Sequence, residues 1–346
     1  MSTRPPARAG FLSERFLLLL AATFASFGFS AEPQQFDAVV SADAPGAHRT
    51  LQDAVAAAPD DGTKPFRILL KPGTYHGQWI VPKHKRRIHL IGESAERTVI
   101  TYRLNQNEAP APGAEPVLNN AGTVILADDF RAENVTFENT SGDHGQALAL
   151  RVDGDRAVFT HCRLLGWQDT LLLNDGRQYF ADCHIEGRVD FIYGAATAVF
   201  ERCVIHSKNG GHVTAASTPR EHAFGFVFLN CKLTGDPTPW HESNGQSVNA
   251  GSNPMATLGR PWRPFASVTY VNCEMGAHIK PAGWDNWRNS DNEKTARFTE
   301  FNSTGPGANP AHRVPWSRQL SEDEAEKITS ATVLGGSDHW NPLATQ

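Results

Sequence analysis

The sequence predicts an all-β protein, a right-handed parallel β-helix with short capping helices. Two observations carry the prediction: a short strand motif centred on Cys recurs five times, and helical periodicity is almost missing between the recurrences. The copies are VFTHCRLLG from 158, YFADCHIEG from 179, VFERCVIHS from 199, VFLNCKLTG from 227 and VTYVNCEMG from 268. In each, an aromatic residue precedes the Cys by three or two positions and an apolar residue follows it by two. The cysteines, at 162, 183, 203, 231 and 273, are 21, 20, 28 and 42 residues apart, the last interval being twice the first. A fixed period of this size marks stacked units that bury a shared core, whereas an ordinary sandwich turns every 8 to 12 residues or so without phased side chains.

The elements follow in order. Residues 1–30 carry Arg4, Arg8 and Arg15 ahead of the apolar run FLLLLAATFASFGF, with Gly28 and Ser30 as small residues for cleavage. This is the pattern of a secretory signal peptide, too short to span a bilayer. A single domain is expected over 31–346, exported to a periplasm or the medium and without a membrane anchor. TLQDAVAAAP (50–59), with Thr50 and Asp53 spaced as a capping box, predicts a helix over one open end of the coil stack. VTFENTSG from 135 extends the repeat one step earlier, with Thr140 in the Cys place. The loop from Gly235 to Pro254 is expected to overhang a groove. SEDEAEKI (321–328), with Ser321 and Glu324, predicts a helix docking near the other end.

Composition narrows the partners. The chain has 346 residues and a net charge of −5, made more negative by loss of the signal segment, which argues against nucleic acid. The basic run KHKRR at 83–87 reads as a solvated turn. No large unexplained apolar stretch demands a partner, so a monomer is expected. Five cysteines in an exported chain permit at most two disulfides. Cys183 and Cys203, one coil apart, lie within bonding reach, although a stack of free thiols suits the same geometry.

The repeat also phases chemistry. Asp169 follows Cys162 by seven and Asp190 follows Cys183 by seven, so the two acids occupy one position on successive coils. Carboxyls at about one strand spacing titrate as a coupled pair, one protonated while its partner is charged. That supplies a proton donor and a nucleophile from one residue type. Gln146, six after Thr140, and Gln168, six after Cys162, place two amides beside the acids, suited to an oxygen that gains charge. There is no GxSxG, HExxH, Walker A or GxGxxG motif, and the His residues show no metal-ligand spacing. No metal or cofactor is expected.

GWQDTLL (166–172), GRVDFIYG (187–194) and LGRPW (258–262), in that order, resemble the signature set of the pectin methylesterases, in a bacterial-type secreted form. KPGTYHGQ, GQALALRV, PAGWDNW, ARFTEFNSTGPGA and VLGGSDHWNP resemble further blocks of that family. The resemblance implies that Asp190 attacks the methyl ester of methylated homogalacturonan. Asp169 would then protonate departing methanol, and Gln146 and Gln168 would serve the oxyanion. It further implies that Arg260 holds Asp190, which accounts for a carboxylate set in the apolar run FIY. Trp262 would line the sugar groove, with Phe191, Tyr193 and Trp284 as further substrate contacts and Trp240 and Trp287 as weaker ones. Two features depart from the family pattern: Gly77 and Gln78 follow Tyr75 and His76, so the usual acid of that block is missing, and Tyr193 stands where Phe is commoner. Three other functions fit the same residues: an acyl-thioesterase, a glycoside hydrolase using the two carboxyls, and a non-catalytic carbohydrate-binding β-helix.

Overall fold

Each copy of the Cys motif folds as a strand, one left-handed residue, and a second strand. The residues immediately before the cysteines, His161, Asp182, Arg202, Asn230 and Asn272, have φ between 51° and 54°. Asn, Asp and His tolerate that region better than other side chains, which explains the polar position at each corner. Arg202, the poorest fit, is held by Asp182 through two hydrogen bonds of 3.0 and 2.9 Å and by Glu201 at 2.7 Å.

In the computed structural model, residues 35–60, 62–108, 121–237 and 255–344 are described. The expected signal segment 1–30, most of the loop 235–254 and Trp240 lie outside them. Among the described residues the strands form two sheets, of 11 and 13 strands, and every pairing is parallel. Successive coils stack in register, giving the right-handed parallel β-helix. Inside it Phe159, Phe180, Phe200, Phe228 and Tyr270 form a column, with ring centroids 4.5–5.0 Å apart and planes within 14° of parallel. Like side chains thus pack on like, each fully buried.

The cysteines form a second column, because Arg163 pairs with His184, His184 with Val204, Val204 with Lys232 and Lys232 with Glu274. All five are free and buried, so of the two arrangements that the spacing left open, a Cys183–Cys203 disulfide and a stack of free thiols, the structure has the second. Equivalent Cβ atoms on stacked coils point the same way, and each sulfur turns instead toward carbonyl oxygens 3.3–3.6 Å away.

Thr140 is a second correction. Leu164 pairs with Phe137, which puts Val135 and not Thr140 in the Cys row. Farther along the same coil Gln168 pairs with Gln146. The pairing offset therefore falls from 27 residues to 22, and a loop around 140–145 is longer than its counterpart by the difference. The count from Thr140 reached the right neighbour for Gln146 by the wrong route.

Helix Leu51–Ala57 covers the first coil. Thr50 Oγ1 accepts from the Asp53 amide at 3.1 Å, and Leu51, Ala54 and Val55 are buried against the core. The helix Glu322–Ala325 has the expected box, Ser321 and Glu324 capping reciprocally. It directly follows strand Arg318–Gln319, the last of the 11-stranded sheet, at the far end. That end is covered by Val314 and Trp316, beside a buried Arg313–Glu300 pair at 2.9 Å. The chain beyond runs back along the outer face of the 11-stranded sheet. There Ile328, Val333, Leu334 and Trp340 bury Val158, Tyr179, Val199 and Val227.

Candidate active site

Strands His184–Gly194 and Val204–Ala216 run through a corner that other coils interrupt, fusing two faces of the solenoid into one sheet. Their register shifts between Gly187 and Val189 and again before Ile192. Asp190 sits in that irregularity with φ 52°, and Asp169 has φ 63°. Each precedes by two residues a member of the pair Leu171 and Ile192, so the acids are equivalent on adjacent coils. Left-handed backbone at a bulge turns a side chain that would otherwise enter the core toward the outer face. Gly187 makes the bend possible, since a Cβ there would lie 2.2 Å from that of Phe191.

Arg260 comes from strand Ala256–Pro261, two strands beyond Asp190. Its row reads Tyr193, Ala215, Arg260, and the small Ala215 lets the guanidinium reach back across one strand. It grips Asp190 in bidentate fashion, Nε to Oδ1 at 2.9 Å and Nη2 to Oδ2 at 2.6 Å, the strong geometry for a guanidinium and a carboxylate. One face of the guanidinium lies over the Trp287 ring, 3.7 Å from its centroid. Gln146 and Gln168 form a parallel bridge on the two coils before this point.

Electrostatics separate the two acids. Burial, reinforced by the charge of Asp190, pushes Asp169 up to about 8, only partly opposed by Arg260, Tyr193 and Gln168. Burial also raises Asp190, but its largest opposing influence is the Arg260 hydrogen bond, followed by the Arg260 charge. One carboxyl thus stays protonated at neutral pH beside another with a guanidinium to hold its charge. His212, between Val189 and Thr257 in register, is pushed down to about 3 by burial and then by the Arg260 charge; its Nδ1 lies 2.7 Å from Thr257 Oγ1.

A sequence model of the pectinesterase family matches residues 37–337. The chain belongs to that family. It is similar to Pectinesterase 31 of Arabidopsis thaliana, with 43% identity over 293 residues, covering 83% of this chain and 88% of the relative. Among solved structures, pectin methylesterase from carrot superposes with a TM-score of 0.78 at 29% identity, over 89% of this chain and 96% of the other. The pectin methylesterase PemA from Erwinia chrysanthemi gives 0.74 at 29% identity, over 90% of this chain and all of the other. Plants supply two of these three, so the bacterial-type expectation is not carried further. As a pectinesterase the protein is an enzyme that hydrolyses the methyl esters of pectin, a polysaccharide.

The structure brings Asp169, Asp190, Gln146, Gln168 and Arg260 of this pectinesterase together on one face. It removes two expected substrate contacts. Phe191 is fully buried inside the solenoid. Trp284 stacks on Phe298 at 4.3 Å, 2% exposed, and its indole nitrogen donates to Glu300 at 3.3 Å. Trp284 precedes the outward Asp285 and so faces inward, whereas Phe191 and Ile192 both enter the core because the bulge at Asp190 breaks the alternation. Tyr193 lies outside with little exposed surface, edge-on to Trp262 at 5.7 Å. Trp262 is 36% exposed, the most open Trp, Tyr or Phe ring among the described residues. Gln78, in the block that lacks the usual acid, donates to the Ala121 carbonyl at 2.9 Å and so ties two coils.

Sequence reasoning missed several supports. Lys208 lies over Trp167, 3.9 Å from the ring centroid, and pairs with Glu186 at 3.2 Å. Arg188 pairs with the buried Asp143 at 3.3 Å, which anchors the long loop beside the bulge. These partners are 22 and 45 residues apart in the chain, and only the coil register relates them.

Proposed function

We propose that Asp190 is the nucleophile and Asp169 the acid and then the base. The Asp190 carboxylate attacks the ester carbonyl carbon, and Gln146 and Gln168 donate to the oxygen that becomes negative. As the carbonyl re-forms, the C–O bond to methoxide breaks and Asp169 gives up its proton, releasing methanol. Asp169, now ionised, takes a proton from water as that water attacks the acyl-Asp190 intermediate. Free galacturonate leaves, and both aspartates return to their starting forms. The bidentate Arg260 contact, next to a neutral Asp169, is the single observation that carries this assignment.

Trp262 is proposed as the sugar platform, on its exposure and its edge contact with Tyr193. A solved pectin methylesterase at 30% identity and TM-score 0.75 holds a hexasaccharide, which supports an extended oligosaccharide as ligand here too. Export, with the leader removed, is part of the same proposal and rests on the leader-like composition of residues 1–30.

Methanol release from methylated oligogalacturonates, compared between the parent and Asp190→Asn, tests the chemistry. Turnover falls by at least about 10³-fold while the melting temperature stays near the parent's. Full activity in the variant overturns the nucleophile, and shortened polymer without methanol would make the two carboxyls those of a glycosidase.

A further inference from the structure

We propose that Trp287 is a positioning residue for this reaction: its indole face, pinned by Asp285, holds the Arg260 guanidinium in the plane that grips Asp190. The inference rests on the roles given above to Asp190 and Arg260. Both bonds to Asp190 leave from the edge of the guanidinium, from Nε and Nη2. A ring 3.7 Å beneath the flat face restrains tilt and swing without competing for an N–H donor. The restraint acts on the one degree of freedom that the hydrogen bonds leave soft.

The backbone shows what holds the ring there. Trp287 and Arg288 have φ of 61° and 53°, two successive left-handed residues, and for a side chain as bulky as Trp this is a strained conformation. Asp285 Oδ1 accepts from the Trp287 amide at 2.7 Å. The Asp285 amide donates at 3.1 Å to the carbonyl of Gly259, the residue that immediately precedes Arg260. Asn286 donates to Glu293 at 2.7 Å, and Asn292 donates to the Asn286 carbonyl at 3.1 Å. The turn carrying the indole is thus bonded to the strand carrying the guanidinium, and braced from behind. Strain maintained by this many restraints at a functional site points to a task for the residue.

The task is not the sugar stacking expected from the sequence. One face of Trp287 is taken by Arg260, and the ring packs against the apolar outer cluster to which Leu172, Tyr193 and Ala215 belong. Trp262 is the open ring, and it remains the candidate platform.

The test uses Trp287→Leu and Trp287→Tyr in the full chain, with methanol release followed against pH and substrate concentration. The groups facing Asp190 are Arg260 from its strand, Asp169 from the preceding coil and Asp285 from the turn; His212 stands near Arg260, with Asp285, Lys280 and Arg188 also around it. A less constrained Arg260 opposes the burial of Asp190 less well, so the acid limb of kcat/KM moves to higher pH in Trp287→Leu. Its kcat falls roughly 10-fold with KM within about twofold, and Trp287→Tyr recovers most of the loss. A raised KM at unchanged kcat would make Trp287 a sugar platform and overturn the proposal. Equal kcat in the Leu and Tyr variants would reduce the ring to packing and also overturn it. Should Trp287→Leu not fold, Trp287→Met takes its place with the same criteria. Arg260→Lys separates the two levels: full turnover there removes the role of Arg260 itself. A loss in Arg260→Lys with none in Trp287→Leu removes only the positioning.

Discussion

Asp169 shows how one residue couples activity to stability. Its carboxyl is held protonated by burial up to about pH 8, against an ordinary unfolded value of about 3.9. Between those values the folded chain binds the extra proton, so stability declines as pH rises from about 4 to about 8 and is level beyond. The donor role proposed for Asp169 runs the same way: it is present below about pH 8 and lost above. Asp169→Asn is therefore expected to cut turnover by about 10² to 10⁴-fold. The variant should also gain melting temperature relative to the parent at pH 7, with little gain at pH 4. Calorimetry at the two pH values, with methanol release, checks both. Sequence counting found this residue because it needed only the coil period. It could not find the burial, which comes from side chains on other coils, nor that Phe191 and Trp284 point inward.

The columns of like side chains are the elements that make the period physical. Phe200 is in the middle of its column, stacked on Phe180 at 5.0 Å and on Phe228 at 4.6 Å, so truncation leaves a cavity bounded by two rings. Phe200→Ala should cost about 3–5 kcal/mol, read as a lower urea midpoint, because coils locked by their neighbours relax only partly into the gap. The same columns explain what the sequence disclosed. From Cys162 to Cys203 counting gave the right register, whereas the 42 residues from Cys231 to Cys273 are one coil and not two, since Lys232 pairs directly with Glu274. Before Cys162, the longer loop around Thr140 broke the count, since loop length changes without altering the stacked strands on either side. The thiol column was visible as a pattern, but its redox state depends on side-chain direction, which spacing does not specify.

At the scale of the molecule, the C-terminal segment straps the outer face that lies away from the catalytic row. Trp340 packs over the valine rows, Arg177 lies 5.5 Å from its ring centroid, and Asp338 bonds Arg177 at 2.6 and 2.8 Å. Trp340→Ala should speed proteolytic clipping after residue 320 while methanol release per intact molecule is unchanged. Equal clipping rates would show that the strap is held elsewhere. The helix at this end was legible from Ser321 and Glu324, because a capping box is local. The path of the chain after it was not, because only the folded outer face reveals which rows lack a cover.

The corner-spanning strands His184–Gly194 and Val204–Ala216 carry one more implication. A solenoid can gain or lose a turn at either extremity while its interior stays as it was, so binding length and chemistry are separable properties of such a molecule. Insertion of a single turn between Asp169 and Asp190, by contrast, would part the two aspartates by an added rung. The middle of this protein is fixed by its reaction, and its ends are free to be tailored to the length of polymer they meet.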